Sequence, residues 1–223
     1  MHRRSRQRRL ARRVLLKSEI AMPVNLKYRV DLPPEYEKKK KERWPLLFFL
    51  HGVGEVGHDQ NKLTIHGPPK IVKQRRELPF VVVSPQSPQE GWNVEALKAV
   101  LDEVKKLYRI DPDRVYLTGL SMGGEGTWRL AAAYPDQFAA IVPICGKGEP
   151  KDAGKLKRIP VWAFHGKLDN RVSVTHSEGM VKAIQNAGGN ARLTLYPDAQ
   201  HDSWTQTYEN SELYAWLLKQ RRK

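Results

Sequence analysis

Short, continuous runs of apolar residues recur along the chain from about residue 45 onward. Such runs are typical of strands that are buried on both faces, as in a parallel sheet. Ala191–Tyr196 alternates apolar and polar residues more regularly and predicts a further strand. The continuous runs are Pro45–Leu50, Phe80–Val83, Val115–Leu117, Ala139–Val142 and Pro160–Phe164.

Helical periodicity fills the intervals between these strands. Asn93 is a suitable N-cap for the first helix, whose apolar residues recur on one face. Pro135 stops the second predicted helix, and Gly188–Gly189 stops the third. The predicted helices span about residues 94–108, 122–134, 174–186 and 210–220.

The alternation of strands and helices predicts an α/β fold with a mostly parallel central sheet and helices on both faces. Leu26–Leu32 is predicted as an antiparallel strand at the N-terminal edge. The 223 residues suit one domain, which we place at residues 21–223, after an N-terminal extension at residues 1–20. Gly146–Ile159 is too short for a helical cap domain.

Positive charge is concentrated at the N-terminus. The net charge is +15, and Met1–Arg13 contains seven Arg and no acid. Nucleic-acid or anionic-surface binding is one interpretation of this arm. Because no aromatic residues are interleaved with the arginines, we favour a basic extension without that role.

The sequence contains no signal for membrane insertion or for disulfide bonding. Val14–Leu16 is followed at once by Lys17, so no signal-peptide core is present, and no apolar run is long enough to span a bilayer. We therefore expect a cytoplasmic protein, with export as the alternative. Cys145 is the single cysteine and cannot form an intramolecular disulfide.

The strongest chemical signal is Gly119-Leu120-Ser121-Met122-Gly123, which matches G-x-S-x-G. It lies between a predicted strand and a predicted helix, the context that this motif requires. A sharp turn there lifts a serine hydroxyl clear of the sheet, and the N-terminus of the helix stabilises developing negative charge. Ser121 is therefore the candidate nucleophile.

A serine nucleophile needs a general base that a third group orients. Asp169 follows the predicted strand Pro160–Phe164, and His201 follows the predicted strand Ala191–Tyr196. Their order along the chain, Ser then Asp then His, is the order that accompanies the G-x-S-x-G motif in α/β sheets. Asp202 shares the loop of His201 and cannot easily reach around its ring. His165 is at a strand end, where we expect backbone hydrogen bonds, and Cys145 is interpreted as a small buried residue.

The loop Leu50-His51-Gly52-Val53-Gly54 follows the first strong strand. The fold takes one backbone N–H from this loop and one from the residue after the nucleophile. The sequence thus predicts an oxyanion hole formed by the amides of Val53 and Met122.

Seven strings together resemble a branch of small bacterial esterases in the α/β-hydrolase superfamily. The branch includes dienelactone-hydrolase-like, phospholipase/carboxylesterase-like and feruloyl-esterase-like proteins, some of them called predicted peptidases. The resemblance covers about Tyr28 to Leu218. The strings are FFLHGVGEVG, HGPPKIV, VSPQSP, DPDRVYLTGLSMGGEGTW, YPDQFAAIVPICG, VWAFHGKLDNRV and HDSWTQTYEN.

The resemblance implies a carboxylesterase with the triad Ser121–His201–Asp169 and with neither a metal nor an organic cofactor. Dienelactone hydrolase proper uses a cysteine nucleophile, and Glu125 stands where relatives usually carry an aromatic or apolar residue. With no cap, we expect an open site for small-molecule esters with short or small aromatic acyl groups. Candidate substrate-binding residues are His51, Gln86, Trp92, Leu120 and Trp204, with ordinary packing as the alternative for the two tryptophans.

Two other functions stay open at this point. A serine peptidase or amidase could use the same fold and the same three residues, although no added specificity domain is visible. A basic-armed binding protein with a vestigial site is the second alternative, and the complete set of triad residues argues against it.

Overall fold

The computed structural model describes residues 26–74 and 77–222. The basic arm and the proposed boundary near residue 20 lie outside these residues. The described part contains one seven-stranded sheet. Its strands are β1 (Tyr28–Asp31), β2 (Trp44–Leu50), β3 (Val81–Pro85), β4 (Ile110–Leu120), β5 (Ala140–Ile144), β6 (Val161–Gly166) and β7 (Ala191–Tyr196).

The strands run in the order β1-β3-β2-β4-β5-β6-β7, and all neighbours are parallel except β1 and β3. The helices cover both faces of this sheet. They are α1 (Gly67–Lys73), α2 (Val94–Leu107), α3 (Met122–Ala133), α4 (Ala153–Leu156), α5 (Thr175–Asn186), α6 (Trp204–Glu209) and α7 (Ser211–Lys219).

Strand β2 shows why the sheet needs helices on both sides. Leu46, Phe48 and Leu50 pack into the core beneath α2, α3 and α5. Leu47 and Phe49 point to the opposite face, into the core beneath α1, α6 and α7. Alternate side chains of a strand face opposite ways, so a run without polar residues must be covered twice. This arrangement confirms the predicted α/β-hydrolase fold class.

The predicted strands and long helices are present, with ends shifted by a few residues, and three short helices are additional. The first turn of helix α1 contains Pro68 and Pro69, which are tolerated there because the N–H groups of a first turn need no partner inside the helix. Between β5 and β6 the chain forms a 3-10 turn and the four-residue α4, in agreement with the prediction that no cap domain is inserted there. In the described residues, no helix has the length and apolar character to cross a bilayer.

Both edges of the sheet carry a charged side chain engaged with the protein itself. On β7, the Arg192 guanidinium lies 3.4 Å from the ring centroid of Trp162 and 5.3 Å from that of Trp216. On β1, Arg29 Nε donates to Asp31 at 2.8 Å, and Asp31 is buried. The guanidinium of Arg192 is thus held over aromatic faces, a favourable cation–π geometry.

The turn between β4 and α3 is packed backbone against backbone. A Cβ added to Gly123 would lie 2.0 Å from the carbonyl oxygen of Leu50 and 2.7 Å from that of His51. The loop after β2 therefore touches the first turn of α3 directly, and no side chain fits between them.

We expect Gly123→Ala to lower the free energy of unfolding by about 2 kcal/mol, because the added methyl group forces the two backbones apart. Gly154→Ala is the matched control, since nothing lies within 4 Å of its added Cβ. Urea unfolding of both variants measures the difference. Equal stability of Gly123→Ala and the unsubstituted protein would contradict the close packing described here.

Candidate active site

The three predicted triad residues lie at the carboxyl ends of neighbouring parallel strands. Ser121 stands alone between β4 and α3, Asp169 follows β6, and His201 follows β7. The carboxyl ends of parallel strands meet at one edge of the sheet, which is where the sites of open α/β proteins are built. The topology thus brings together residues that are up to 80 positions apart.

Ser121 has backbone angles of φ 52° and ψ −115°. A positive φ is unfavourable for a residue with a Cβ and costs about 1–3 kcal/mol. The N–H of Ser121 donates to the carbonyl oxygen of Ile144 on β5 at 2.9 Å, which helps to hold the turn. This strained turn is the geometry that G-x-S-x-G predicts.

A continuous chain of hydrogen bonds joins the three side chains. His201 Nε2 lies 2.9 Å from Ser121 Oγ, and His201 Nδ1 lies 2.8 Å from Asp169 Oδ2. Because a carboxylate only accepts, Nδ1 carries the ring proton and Nε2 is free to accept from the hydroxyl. The arrangement can remove a proton from Ser121.

Asp169 is held in its ionised form. Burial of its side chain raises the pKa, but hydrogen bonds from His201 and from the N–H groups of Val172 and Arg171 outweigh burial and leave the pKa below its ordinary value. The two backbone groups donate to Oδ1 at 3.0 Å and 2.8 Å. A negative charge on Asp169 stabilises a proton on His201.

His165 is a second histidine on the same carboxylate, and this contact with Asp169 was not predicted from the sequence. Its Nε2 lies 2.9 Å from the carbonyl oxygen of Val172 and 3.1 Å from Asp169 Oδ2, and its Nδ1 lies 2.7 Å from Ser177 Oγ. The expected backbone hydrogen bond is thus present, together with a contact to Asp169. Burial lowers the pKa of His165 and keeps the ring neutral. The sequence signal for this contact was the four-residue spacing between His165, near the end of β6, and Asp169, after the turn that follows β6.

Cys145 directly follows β5 and is buried close to Asp169 and His201. Its sulfur, a carboxylate oxygen of Asp169 and a ring nitrogen of His201 all lie within 4.8 Å of one another. Burial raises the pKa of this thiol to about 12, so it stays protonated. A protonated, buried thiol is a poor nucleophile, and the prediction that Cys145 is a small buried residue agrees with its environment.

The amides predicted to form an oxyanion hole are the first N–H groups of two helical turns. Val53 begins a 3-10 turn that extends to Glu55, and Met122 begins α3. A first-turn N–H has no partner within its own helix. Both groups are therefore free of helical hydrogen bonds and can donate to a substrate oxygen.

Two clefts meet at Ser121, and they share Val53, Ser121 and Val172. The larger has a volume of about 590 Å³ and contains His201. The smaller, of about 310 Å³, extends over Met122. We call them the base-side cleft and the helix-side cleft. The other walls of the base-side cleft include Glu55, His66, Leu120, Arg171, Asp202 and Trp204; those of the helix-side cleft include Glu90, Trp92, Glu125, Gly126, Arg129 and Lys147.

The five predicted substrate-binding residues divide into two groups. Leu120 and Trp204 line the base-side cleft, and Trp92 lines the helix-side cleft. His51 and Gln86 line neither cleft and are buried. For these two residues, the structure differs from the expectation that they face the substrate.

Gln86 and His51 instead hold the loop that follows β2. Gln86 Nε2 donates to the carbonyl oxygens of Glu55 and Asp59, both at 2.9 Å. His51 Nε2 accepts from the N–H of Ser87 at 3.0 Å, so Nδ1 carries the proton and donates to the carbonyl oxygen of Gly52 at 2.6 Å. Burial lowers the pKa of His51 from its ordinary 6.5 to about 4.

Comparison with known proteins adds three findings. The sequence model of the dienelactone hydrolase family matches residues 70–215. A bifunctional acetylxylan esterase/xylanase of Neocallimastix patriciarum is 31% identical over 185 residues, which cover 77% of this chain and 26% of that protein. The crystal structure of a thermostable esterase is 34% identical, with a TM-score of 0.75, and the match covers 88% of this chain and 60% of that chain.

The matches cover only part of each curated relative. A putative esterase of Nocardia uniformis subsp. tsuyamanensis is 37% identical over 84 residues, which cover 37% of this chain and 24% of that protein. The chain thus matches about a quarter of the length of both relatives named here. What those whole proteins do is therefore separate from what this chain shares with them.

The neutral His51 makes folding sensitive to acid. The pKa of His51 is lower in the folded protein, so the unfolded chain binds a proton first as the pH falls. The stability that neutral His51 contributes is complete above about pH 6.5 and is lost towards pH 4. Between pH 7.5 and pH 5 we expect a loss of about 2 kcal/mol from this residue.

Urea unfolding at the two pH values measures this loss, and His51→Gln should make the difference smaller by that amount. The exposed His58→Gln is the control and should leave the difference unchanged. An unaltered pH dependence in His51→Gln would refute the assignment.

Proposed function

The chain belongs to the dienelactone hydrolase family, and from this premise we propose that it is a serine carboxylesterase acting through Ser121, His201 and Asp169. The observation that carries the proposal is the unbroken hydrogen-bonded chain from the Ser121 hydroxyl through His201 to a buried, ionised Asp169. The substrates are esters of short-chain or small aromatic acids.

The first half of the reaction forms an acyl-enzyme. The Ser121 hydroxyl proton moves to His201 Nε2 as Oγ attacks the ester carbonyl carbon, and the carbonyl oxygen takes the negative charge. The amides of Val53 and Met122 donate to that oxygen. Asp169 stabilises the imidazolium that forms. The tetrahedral intermediate then collapses, and His201 Nε2 returns its proton to the oxygen of the departing alcohol.

The second half repeats these steps with water. A water molecule gives its proton to His201 Nε2 and attacks the acyl carbon, and the same two amides stabilise the oxyanion. Collapse breaks the bond to Ser121 Oγ, which regains the proton from His201 and releases the acid.

The two clefts divide the substrate between them. The departing alcohol oxygen must lie near His201 Nε2, so the alcohol part occupies the base-side cleft. The acyl group then extends into the helix-side cleft, past Met122 and Trp92. Trp92 packs closely against Gly126, where a Cβ would come within 2.7 Å of its ring.

The wall of the helix-side cleft contains four charged residues. Glu125 lies 3.9 Å from Arg129, and Glu90 and Lys147 are also in its wall. A long alkyl chain would have to cover these groups and displace their water, which is unfavourable. A short or small aromatic acyl group stays on the apolar surface of Met122 and Trp92. The relative described as an acetylxylan esterase agrees with a short acyl group.

Ser121→Ala tests the reaction. We expect kcat for p-nitrophenyl acetate to fall by at least about 10³-fold, because the nucleophile is lost while the fold is kept. Ser211→Ala, an exposed serine at the start of α7, should keep full activity. Circular dichroism confirms that the variants are folded. Equal, slow turnover by the unsubstituted protein and Ser121→Ala would contradict the esterase proposal.

Acyl-chain preference tests the assignment of the clefts. We expect p-nitrophenyl acetate and butyrate to be hydrolysed with a kcat/KM at least about tenfold above that for the dodecanoate, because the wall of the helix-side cleft contains charged residues. Rates are measured below the critical micelle concentration and corrected with Ser121→Ala. A higher kcat/KM for the dodecanoate would contradict the assignment of the acyl group to the helix-side cleft.

A further inference from the structure

Glu55 is a buried acid beside the candidate oxyanion hole that the proposed mechanism does not use. Its exposed fraction is 4%, and it forms part of the wall of the base-side cleft. Burial raises the pKa of its carboxyl group. An acid is rarely buried without a partner, so its contacts indicate what it does.

The first contact is with the loop that carries Val53. Glu55 Oε2 accepts a hydrogen bond from the N–H of Gly52 at 3.0 Å. Glu55 is the third residue of the 3-10 turn that begins at Val53, and its side chain reaches back to the residue before the turn. This is one half of a capping box, in which a side chain binds a free amide at the start of a helix.

Gly52 lies directly against the nucleophile turn. A Cβ added to Gly52 would be 2.7 Å from Leu120 Cδ1 and 3.7 Å from the carbonyl oxygen of Leu120. Leu120 precedes Ser121, and Val53 follows Gly52. The hydrogen bond to Glu55 therefore holds the peptide that precedes the Val53 amide, and so helps to set the distance between that amide and the nucleophile.

The second contact extends to the loop of His201. Glu55 Oε1 lies 3.6 Å from His66 Nε2, and His66 Nδ1 accepts from Trp204 Nε1 at 3.3 Å. The Trp204 ring in turn meets the His201 ring edge to face, with centroids 5.3 Å apart. Through these side chains, Glu55 connects the Val53 loop with the loop that carries the candidate base.

We propose that Glu55 is a positioning residue for the oxyanion hole, holding the Gly52 N–H so that the Val53 amide faces the developing oxyanion. The inference rests on the proposed esterase function. Hydrogen-bond acceptance is what the position requires, because His51 beside it is neutral and the Gly52 N–H needs an acceptor rather than a charge. A glutamine supplies that acceptor at the same reach, whereas an aspartate keeps the charge but is too short.

The test compares Glu55→Gln, Glu55→Asp and Glu55→Met with the unsubstituted protein. The substrates are p-nitrophenyl acetate and its thiono analogue, in which sulfur replaces the carbonyl oxygen. Sulfur is a weak hydrogen-bond acceptor, so the ratio of kcat for the two substrates reports on the oxyanion hole. A merely structural role would lower both rates together and leave the ratio unchanged.

We expect Glu55→Gln to keep kcat and the substrate ratio within about threefold of the unsubstituted protein. Glu55→Asp and Glu55→Met should lower kcat for the ester about 10- to 100-fold, approaching the loss of one oxyanion donor, with KM within about threefold. Their ester-to-thionoester ratio should fall about tenfold. Should Glu55→Met fail to fold, Glu55→Gln against Glu55→Asp still decides the question.

Amide hydrogen exchange of Gly52, followed by nuclear magnetic resonance, provides a readout that does not need activity. Protection should persist in Glu55→Gln and be lost in Glu55→Asp. Unchanged protection or an unchanged substrate ratio in folded Glu55→Asp would overturn the inference, as would an active Glu55→Asp beside an inactive Glu55→Gln. Failure of the esterase proposal itself appears separately, as activity that does not depend on Ser121.

Discussion

The strained turn at Ser121 is the constraint on which the rest of the site depends. A residue with a positive φ persists only where its surroundings determine it fully. Here the N–H of Ser121 is held by Ile144 on one neighbouring strand, and Gly123 presses against Leu50 on the other. Because these contacts join main chains, the position of the hydroxyl is set by the sheet and does not rely on flexible side chains.

Two buried carboxylates extend this rigidity into the loops on either side. Asp169 gathers donors from His201, His165 and its own loop, and so fixes the orientation of the base. Glu55 binds the Gly52 amide and fixes the loop on the other side of Ser121. Each acid accepts hydrogen bonds from several neutral donors or from a backbone amide, and these bonds offset the free-energy cost of burying the carboxylate. The candidate site is a set of loops held at the carboxyl ends of the parallel strands.

The sheet and the convergence of the Ser121, Asp169 and His201 side chains could be predicted because they follow from position along the chain. Continuous apolar runs identify strands that are buried on both faces. Ser121, Asp169 and His201 each follow a predicted parallel strand, and the carboxyl ends of parallel strands lie on the same side of the sheet. The side-chain partners could not be predicted in this way. His51 adjoins the loop that carries Val53 and Gln86 follows β3, but both side chains are buried. Glu55 shows no signal because its capping partner, Gly52, has no side chain. Such contacts depend on packing that spacing does not encode.

The two sheet edges have a consequence for association between molecules. An open edge strand exposes unpaired N–H and C=O groups to which a strand of another chain can add, and this is a route to aggregation. On β7, Arg192 is anchored over Trp162 and Trp216, and on β1 the buried Asp31 is paired with Arg29. An added strand would have to bury or displace these charges. The Arg29–Asp31 ion pair and the cation–π contacts of Arg192 thus oppose the addition of further strands at the two edge strands of the sheet.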